Sequence, residues 1–385
     1  MIIMPVMASI IMAVLISAVA IIVATTFNNP KDIGNADIIK ADETFSASSE
    51  TLLPSVPENL EQPKLTTTQP APGKFFQYDV IGTTCWVIPG TQSANASGLA
   101  DGTSHAIESV DTSSENPASW RFLIDGAWIE AGDTLVDLAD LTDEIVFDVS
   151  YSYASRLRIH GRDVPGITGE AMPGYHATEP SERFGGEQRF ICPIYWTTAC
   201  MLQTASDAAL SDGYRLVVYD AYRPYSASAY MTDMVADFVS STATTFGPNW
   251  STSWFVASGV SSHNTGCAVD VFMLDADSEY EVVLGDGEAI NYEPLSDIGD
   301  GTVTQTDYPT PIDECSEWST YADYPGGPIS DKIAGSVFAT KLHDIMTKAG
   351  FTQLSSEWWH YDDTAGDEYV MDATGGSGLD FPYQS

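Results

Sequence analysis

The sequence predicts an α+β fold built on an antiparallel sheet. Short β-branched and aromatic runs, "EIVFDVSYSY", "YRLVVYD" and "AVDVFML", read as strands. Longer segments carry apolar residues at helical spacing. The two kinds of segment mix without a regular βαβ rhythm, which speaks against a parallel, doubly wound sheet.

The chain divides into four regions. Residues 1–27, "MIIMPVMASIIMAVLISAVAIIVATTF", carry no charged side chain. A helix of that length, rising about 1.5 Å per residue, crosses a bilayer core of about 30 Å. The segment reads as a retained membrane anchor. With Ala18-Val19-Ala20 as a weak cleavage site it also reads as a secretory signal, though one without the usual positive start. Either reading places the remainder outside the cytoplasm. Residues 28–74 are rich in Ser, Thr, Pro and acidic residues, lack a sustained apolar period and read as a disordered linker. Residues 75–131 hold short apolar runs between Gly, Asn and Ser clusters and predict a small β-rich region of unassigned role.

Residues 132–385 carry the strongest signals and are read as the main domain. "EIVFDVSYSY" alternates over 144–153 as a strand. "YWTTACMLQTASDAALSDG", 195–213, reads as a helix with Gly213 near its end. "YRLVVYD" is a short strand that ends at Asp220. Residues 226–242 place Tyr230, Met231, Met234, Val235, Phe238 and Val239 on one helical face. Residues 331–350 do the same with Ile333, Val337, Phe338, Leu342, Ile345 and Met346, and Gly350 suits a C-terminal cap.

Charge excludes one class of partner. With 54 acidic residues against 15 basic ones, the net charge is −39, which is unsuited to binding nucleic-acid phosphates. So much acid reads as a solvated surface that keeps the protein soluble. The five cysteines are Cys85, Cys192, Cys200, Cys267 and Cys315, and none forms a C-x-x-C pair, so a structural zinc knuckle is not expected. Cys192 and Cys200 are near enough in sequence to bridge across a turn. The odd count leaves at least one thiol free or paired with another chain.

Three segments carry chemistry: "YDAYRPYSA" with Asp220 and Arg223, "SSHNTGCAVDVFML" with His263 and Asp270, and "SSEWWHYDD" with Glu357 and His360. Asp270 heads an apolar run, where a lone carboxylate is costly unless it is paired or bound to a cation. His263, Asp270 and His360 offer nitrogen, oxygen and nitrogen. A catalytic zinc takes three protein ligands and keeps one position open. Gly266 allows the turn that folds His263 back towards Asp270. Glu357 suits a general base beside such a metal. It lies three residues before His360, so the segment must bend, because strand positions three apart face opposite ways. Arg223, always charged, suits a developing oxyanion. Each residue also has a structural reading. A loop His263 beside Ser and Asn needs no metal, His360 adjoins two core tryptophans, and Arg223 can pair with Asp220 to fix a turn. His105, His160, His176 and His343 have no ligand-like context.

The pattern S-x-H-x-x-G-x-A-x-D stands here as Ser261, His263, Gly266, Ala268 and Asp270. E-x-W-H follows as Glu357, Trp359 and His360. Together they resemble the signature of the D-Ala-D-Ala metallopeptidases. "DAYRP", "FVASGVSSHNTGCAVD", "TPIDECSE" and "LDFP" look most like the VanX-type D-Ala-D-Ala dipeptidases, over residues 132–385. The resemblance implies a hedgehog-like, D-Ala-D-Ala-peptidase-like arrangement: an antiparallel sheet flanked by helices, with a Zn2+ site at the sheet. It implies His263, Asp270 and His360 as zinc ligands, Glu357 as catalytic base and Arg223 as stabiliser of the tetrahedral intermediate. It further implies Asp220 and Asp313 as carboxylates near the substrate's free amino group, and Ser261 as a substrate contact. Residues 275–308 are inserted relative to that pattern and could form a lid or a surface loop. A disulfide between Cys267 and Cys315 would be a local peculiarity.

The expected function is zinc-dependent hydrolysis of the D-Ala-D-Ala dipeptide in cell-wall metabolism, in a confined pocket, by a membrane-anchored protein outside the cytoplasm. One alternative is a zinc D,D-carboxypeptidase that trims peptidoglycan stem peptides in an open groove. Another is a non-catalytic cell-surface binding protein on a peptidase scaffold. A serine mechanism of the penicillin-binding type is excluded, because no S-x-x-K occurs in the chain.

Overall fold

The computed structural model describes residues 75–381, except 176–177, 182–183, 185, 243–250, 285–286, 288, 293–294, 296–306 and 322–330. The uncharged segment 1–27 and the linker 28–74 lie outside the described residues, as do His176 and Pro382. Among the described residues no helix is long and apolar enough to cross a membrane.

A five-stranded sheet sits at the centre, in the order Thr352–Gln353, His360–Asp362, Ala268–Asp275, Tyr214–Asp220 and Val146–Phe147. Neighbours run antiparallel except at the last edge, where Val146–Phe147 pairs parallel with Val217 and Val218. The fold is thus α+β as expected, with one parallel pair that local sequence does not signal. All eight residues of Ala268–Asp275 are buried, as suits the middle strand of a covered sheet. Helix Trp196–Ser211 packs against strand Tyr214–Asp220, and helix Val337–Lys348 packs against both Ala268–Asp275 and the first helix.

Several elements differ in extent from their sequence reading. The strand expected over 144–153 shrinks to Val146–Phe147, and a 3-10 turn follows at Ser150–Ser152. Residues 145–151 are buried throughout, so the apparent alternation does not mark a solvent face. Asp148 turns inward and accepts hydrogen bonds from Tyr153, Arg156 and Tyr280. The helix expected over 331–350 breaks in two. Ser336 caps the second piece, its hydroxyl accepting from the Ala339 amide, and Val337 is left 74% exposed instead of facing the core.

Residues 75–131 supply strand Thr84–Val87, which pairs antiparallel with Thr134–Asp137 in a second sheet that also contains Pro193–Tyr195. They also form the meander Ser109–Asp111, Arg121–Ile124 and Ala127–Glu130. Its Asp125-Gly126 turn has positive φ at both residues, the form that matches the twist of a hairpin. Within 275–308, Tyr280–Val283 and Ala289–Tyr292 form an antiparallel hairpin. The hairpin follows the end of the central strand remote from Asp270, and Tyr292 is bonded to the backbone of Phe147 on the edge strand. Its described part is a surface hairpin.

Candidate functional site

Sheet register lays three of the expected site residues in one row. Asp220 stands opposite Asp270, and Asp270 stands opposite His360, on three adjacent strands. Val218 faces Val271, so a regular ladder would put Tyr219 opposite Asp270. The register shifts between Val218 and Asp220, and that bulge brings the Asp220 carboxylate into the row.

His263 arrives from the 3-10 turn Ser262–Thr265. Asn264 fixes the turn from inside: its Oδ1 accepts from the Ser261 amide at 2.8 Å, and its Nδ2 donates to the Arg223 carbonyl at 2.7 Å. Gly266 closes the turn in the left-handed conformation at φ +74°. A Cβ there would lie 2.8 Å from Leu135 Cδ2 and 3.1 Å from the Tyr195 backbone nitrogen.

The result is a buried triangle of donor atoms. His263 Nε2 lies 3.1 Å from His360 Nδ1, His360 Nδ1 lies 3.0 Å from Asp270 Oδ1, and Asp270 Oδ1 lies 3.5 Å from His263 Nε2. Second partners turn both rings. His263 Nδ1 is 2.7 Å from the Ala221 carbonyl, and His360 Nε2 is 2.9 Å from Asp362 Oδ1. Each ring thereby offers its remaining nitrogen to the centre. These three residues can hold a metal ion.

Glu357 reaches the same centre because the chain turns before the strand begins at His360, which is the bend its spacing requires. Its Oε2 lies 3.7 Å from His360 Nδ1. Burial raises the Glu357 carboxyl well above the usual range, and the charges of Asp270 and Asp313 add to this against the opposing pull of His360. Burial also works on Asp270, but the His263 and His360 imidazoles outweigh it and hold that carboxyl low. At His360, burial is outweighed by Asp362 and Asp270, so the imidazole is raised.

Behind the triangle lies a second layer. Arg223 Nη2 is 3.0 Å from Asp220 Oδ2, and the guanidinium sits 5.1 Å from the Tyr151 ring centre. Asp220 also accepts from the Tyr175 hydroxyl. Asp313 adopts φ +62°, uncommon for a residue with a side chain, and burial together with the nearby Asp270 charge raises its carboxyl to about 8. Arg223 Nε and Asp313 Oδ2 are buried without a hydrogen-bond partner among the described residues, which is rare unless a ligand completes the set.

A cavity of about 230 Å³ opens onto this group. Arg223, Ser261, His263, Glu357, His360 and Asp362 stand on its polar side, and Met231, Trp254, Phe255 and Leu354 on its apolar side. Asp220 and Asp313 are not among the described residues that line it. The other described histidines have partners elsewhere: His105 bonds Asp125, His160 pairs with Glu317, and His343 bonds Gln353.

Sequence reasoning overlooked Asp362, Tyr175 and Tyr151. The first was within reach, since His360 and Asp362 are two apart on a strand and share a face. The tyrosines belong to segments without a motif.

The two bridges that the sequence left open, Cys192–Cys200 and Cys267–Cys315, are not formed, and no disulfide joins any of the five cysteines. Cys267 Sγ packs 3.6 Å from the Thr265 carbonyl and Cys315 Sγ 3.9 Å from the Asp313 carbonyl, each serving as a small buried side chain.

No family model matches the chain. It is similar to the D-alanyl-D-alanine dipeptidase of Escherichia coli (strain K12), with 26% identity over 228 residues, covering 59% of this chain and 83% of that relative. This distant likeness, together with the His-Asp-His group, supports a peptidase.

Proposed function

We propose that the chain is a zinc-dependent dipeptidase that hydrolyses D-Ala-D-Ala. The observation that carries this reading is the donor triangle of His263, Asp270 and His360 with Glu357 beside it. Its edges of 3.0, 3.1 and 3.5 Å fit the roughly 3.3 Å between tetrahedral donors placed about 2.0–2.1 Å from a zinc ion. Two imidazoles and one carboxylate are also a donor set that zinc accepts while keeping a position open. Bound there, zinc would supply Lewis-acid charge beside the scissile carbonyl.

The chain's own groups account for the rest. Glu357 takes the proton of the attacking water and delivers it to the leaving amine, a task suited to a carboxyl held above its ordinary range. Arg223, a fixed cation facing the cavity, holds the charge that develops on the carbonyl oxygen. Asp313 and Asp220, which lie behind the cavity lining, are the carboxyls proposed for the substrate's ammonium group; a cation there would lower the raised Asp313 carboxyl and favour its charged form. Ser261 lines the cavity as a substrate contact.

A cavity of about 230 Å³ is small beside the roughly 300–1,000 Å³ of common ligand sites, which favours a dipeptide over a longer chain. The relative's printed activity points the same way. The uncharged residues 1–27 support a membrane-tethered location outside the cytoplasm. That location favours a second reading, a D,D-carboxypeptidase acting on peptidoglycan stems, because free D-Ala-D-Ala is a cytoplasmic precursor. Incubating purified protein with D-Ala-D-Ala and with a stem pentapeptide, and measuring released D-Ala, separates the two. Cleavage of the dipeptide supports the first reading, and cleavage of the pentapeptide alone replaces it with the second. Protein that holds no zinc and cleaves neither would be a binding protein.

A further inference from the structure

We infer that Asp362 is the positioning residue of the metal centre, joining the two segments that carry its histidines. The inference rests on the metal-site reading above. One carboxylate oxygen, Asp362 Oδ1, contacts two different pieces of the site. It lies 2.9 Å from His360 Nε2, on its own strand, and it accepts the hydroxyl of Ser262, the residue directly before His263.

Strand geometry favours the first contact, since positions 360 and 362 project from the same face. Across the sheet Asp362 pairs with Ala268, a small residue on the strand that also carries Asp270. The second contact spans 100 residues of sequence and fastens the turn that presents His263. The backbone reinforces it nearby: the Asp363 amide donates to the Cys267 carbonyl at 2.7 Å, and the Cys267 amide donates to the Ser262 carbonyl at 3.0 Å.

The Asp362 side chain is 18% exposed and lines the cavity, unlike the fully buried Asp148, which serves only packed neighbours. A carboxylate whose task was only to stabilise the sheet would not need to hold one histidine and the residue before the other. Holding His360 by Nε2 directs Nδ1 to the centre. Holding Ser262 sets how far His263 stands from His360. Both distances must be right for three donors to converge on one ion.

The test is metal affinity, measured by zinc competition against a chromophoric chelator for the full chain and three variants. Asp362→Ala should weaken zinc binding by roughly 10–100-fold, the range for outer partners of metal-bound histidines. Asp362→Asn keeps an oxygen acceptor and should recover part of that loss. Ser262→Ala removes only the tie to the turn and should lose less than Asp362→Ala. Melting of the zinc-free proteins, followed in parallel, should change little, because Asp362 is partly exposed. If wild type binds zinc and Asp362→Ala binds it equally well, the positioning role is wrong while the metal site stands. A fall in affinity matched by an equal fall in zinc-free stability, with no recovery in Asp362→Asn, reduces Asp362 to a fold residue. If wild type binds no zinc, the metal-site reading fails and this inference falls with it.

Discussion

Asp220 and Asp270 stand opposite each other on adjacent strands, and the His263 imidazole reaches both: Nδ1 lies 3.4 Å from Asp220 Oδ2 and Nε2 lies 3.5 Å from Asp270 Oδ1. Two carboxylates so close would repel if left alone. Each has its own partner instead: Arg223 pairs with Asp220, and the His263 and His360 rings both lie against Asp270. The centre therefore divides into a candidate metal half, His263 with Asp270 and His360, and an arginine half, and the two share one ring.

On the proposed function Glu357 is a base and not a ligand. Glu357→Ala should keep bound zinc and lower kcat by about 10²–10⁴. Metal analysis beside steady-state kinetics checks this, and loss of the zinc together with the activity would make Glu357 a ligand.

The arginine half gives a second expectation. Arg223→Ala should lower kcat by about 10²–10³, the range for removing one oxyanion donor. It also strands Asp220, and breaking a buried pair costs about 3–5 kcal/mol. Thermal melting separates the two effects. A variant that melts earlier yet keeps its kcat would confine Arg223 to structure.

Asp313 predicts a pH dependence in zinc-free protein. Its carboxyl is held at about 8 in the fold by burial and the Asp270 charge, whereas an unfolded aspartate titrates near 3.9. Between those values the folded state binds more protons than the unfolded state, so this group makes stability fall as pH rises. Asp313→Asn should flatten that slope across roughly pH 4–8. Melting temperatures of chelated wild type and variant over that range are the check, and parallel curves would remove Asp313 as the cause.

Gly266→Ala tests the turn. The added Cβ would meet Leu135 and the Tyr195 backbone in a conformation that side chains avoid, so a loss of roughly 1–3 kcal/mol is expected in chemical denaturation. Because His263 sits in that turn, zinc affinity should fall as well. Unchanged values for both would mean that the turn yields easily.

The net charge of −39 predicts that salt stabilises the fold. Screening shortens from about 10 Å at 0.1 M to about 3 Å at 1 M, so the melting temperature should climb over that interval. A flat or falling curve would show that surface repulsion is weak.

Much of the site was legible because its residues sit in short motifs whose chemistry is local. His263, Gly266 and Asp270 are read from one loop and strand, and Glu357 with His360 from one turn. Helix Tyr225–Thr242 followed from apolar spacing, with Met231 and Val235 buried as expected, and helix Trp196–Ser211 from a segment that ends at Gly213. What escaped depends on long-range pairing. The bulge that aligns Asp220, the parallel edge at Val146–Phe147 and the Tyr175 bond to Asp220 all join segments far apart in the chain. Residues 331–350 misled for another reason: Val337 fits the apolar period, but Ser336 starts a new helix and resets its phase.

The unbridged cysteines carry a consequence for how this molecule reaches its native state. Burial raises all five thiols and so holds them in their unreactive form. Among the described residues no cystine cross-link contributes to the architecture, so the native structure is reached by packing and hydrogen bonding, and a reducing agent should leave its melting temperature unchanged.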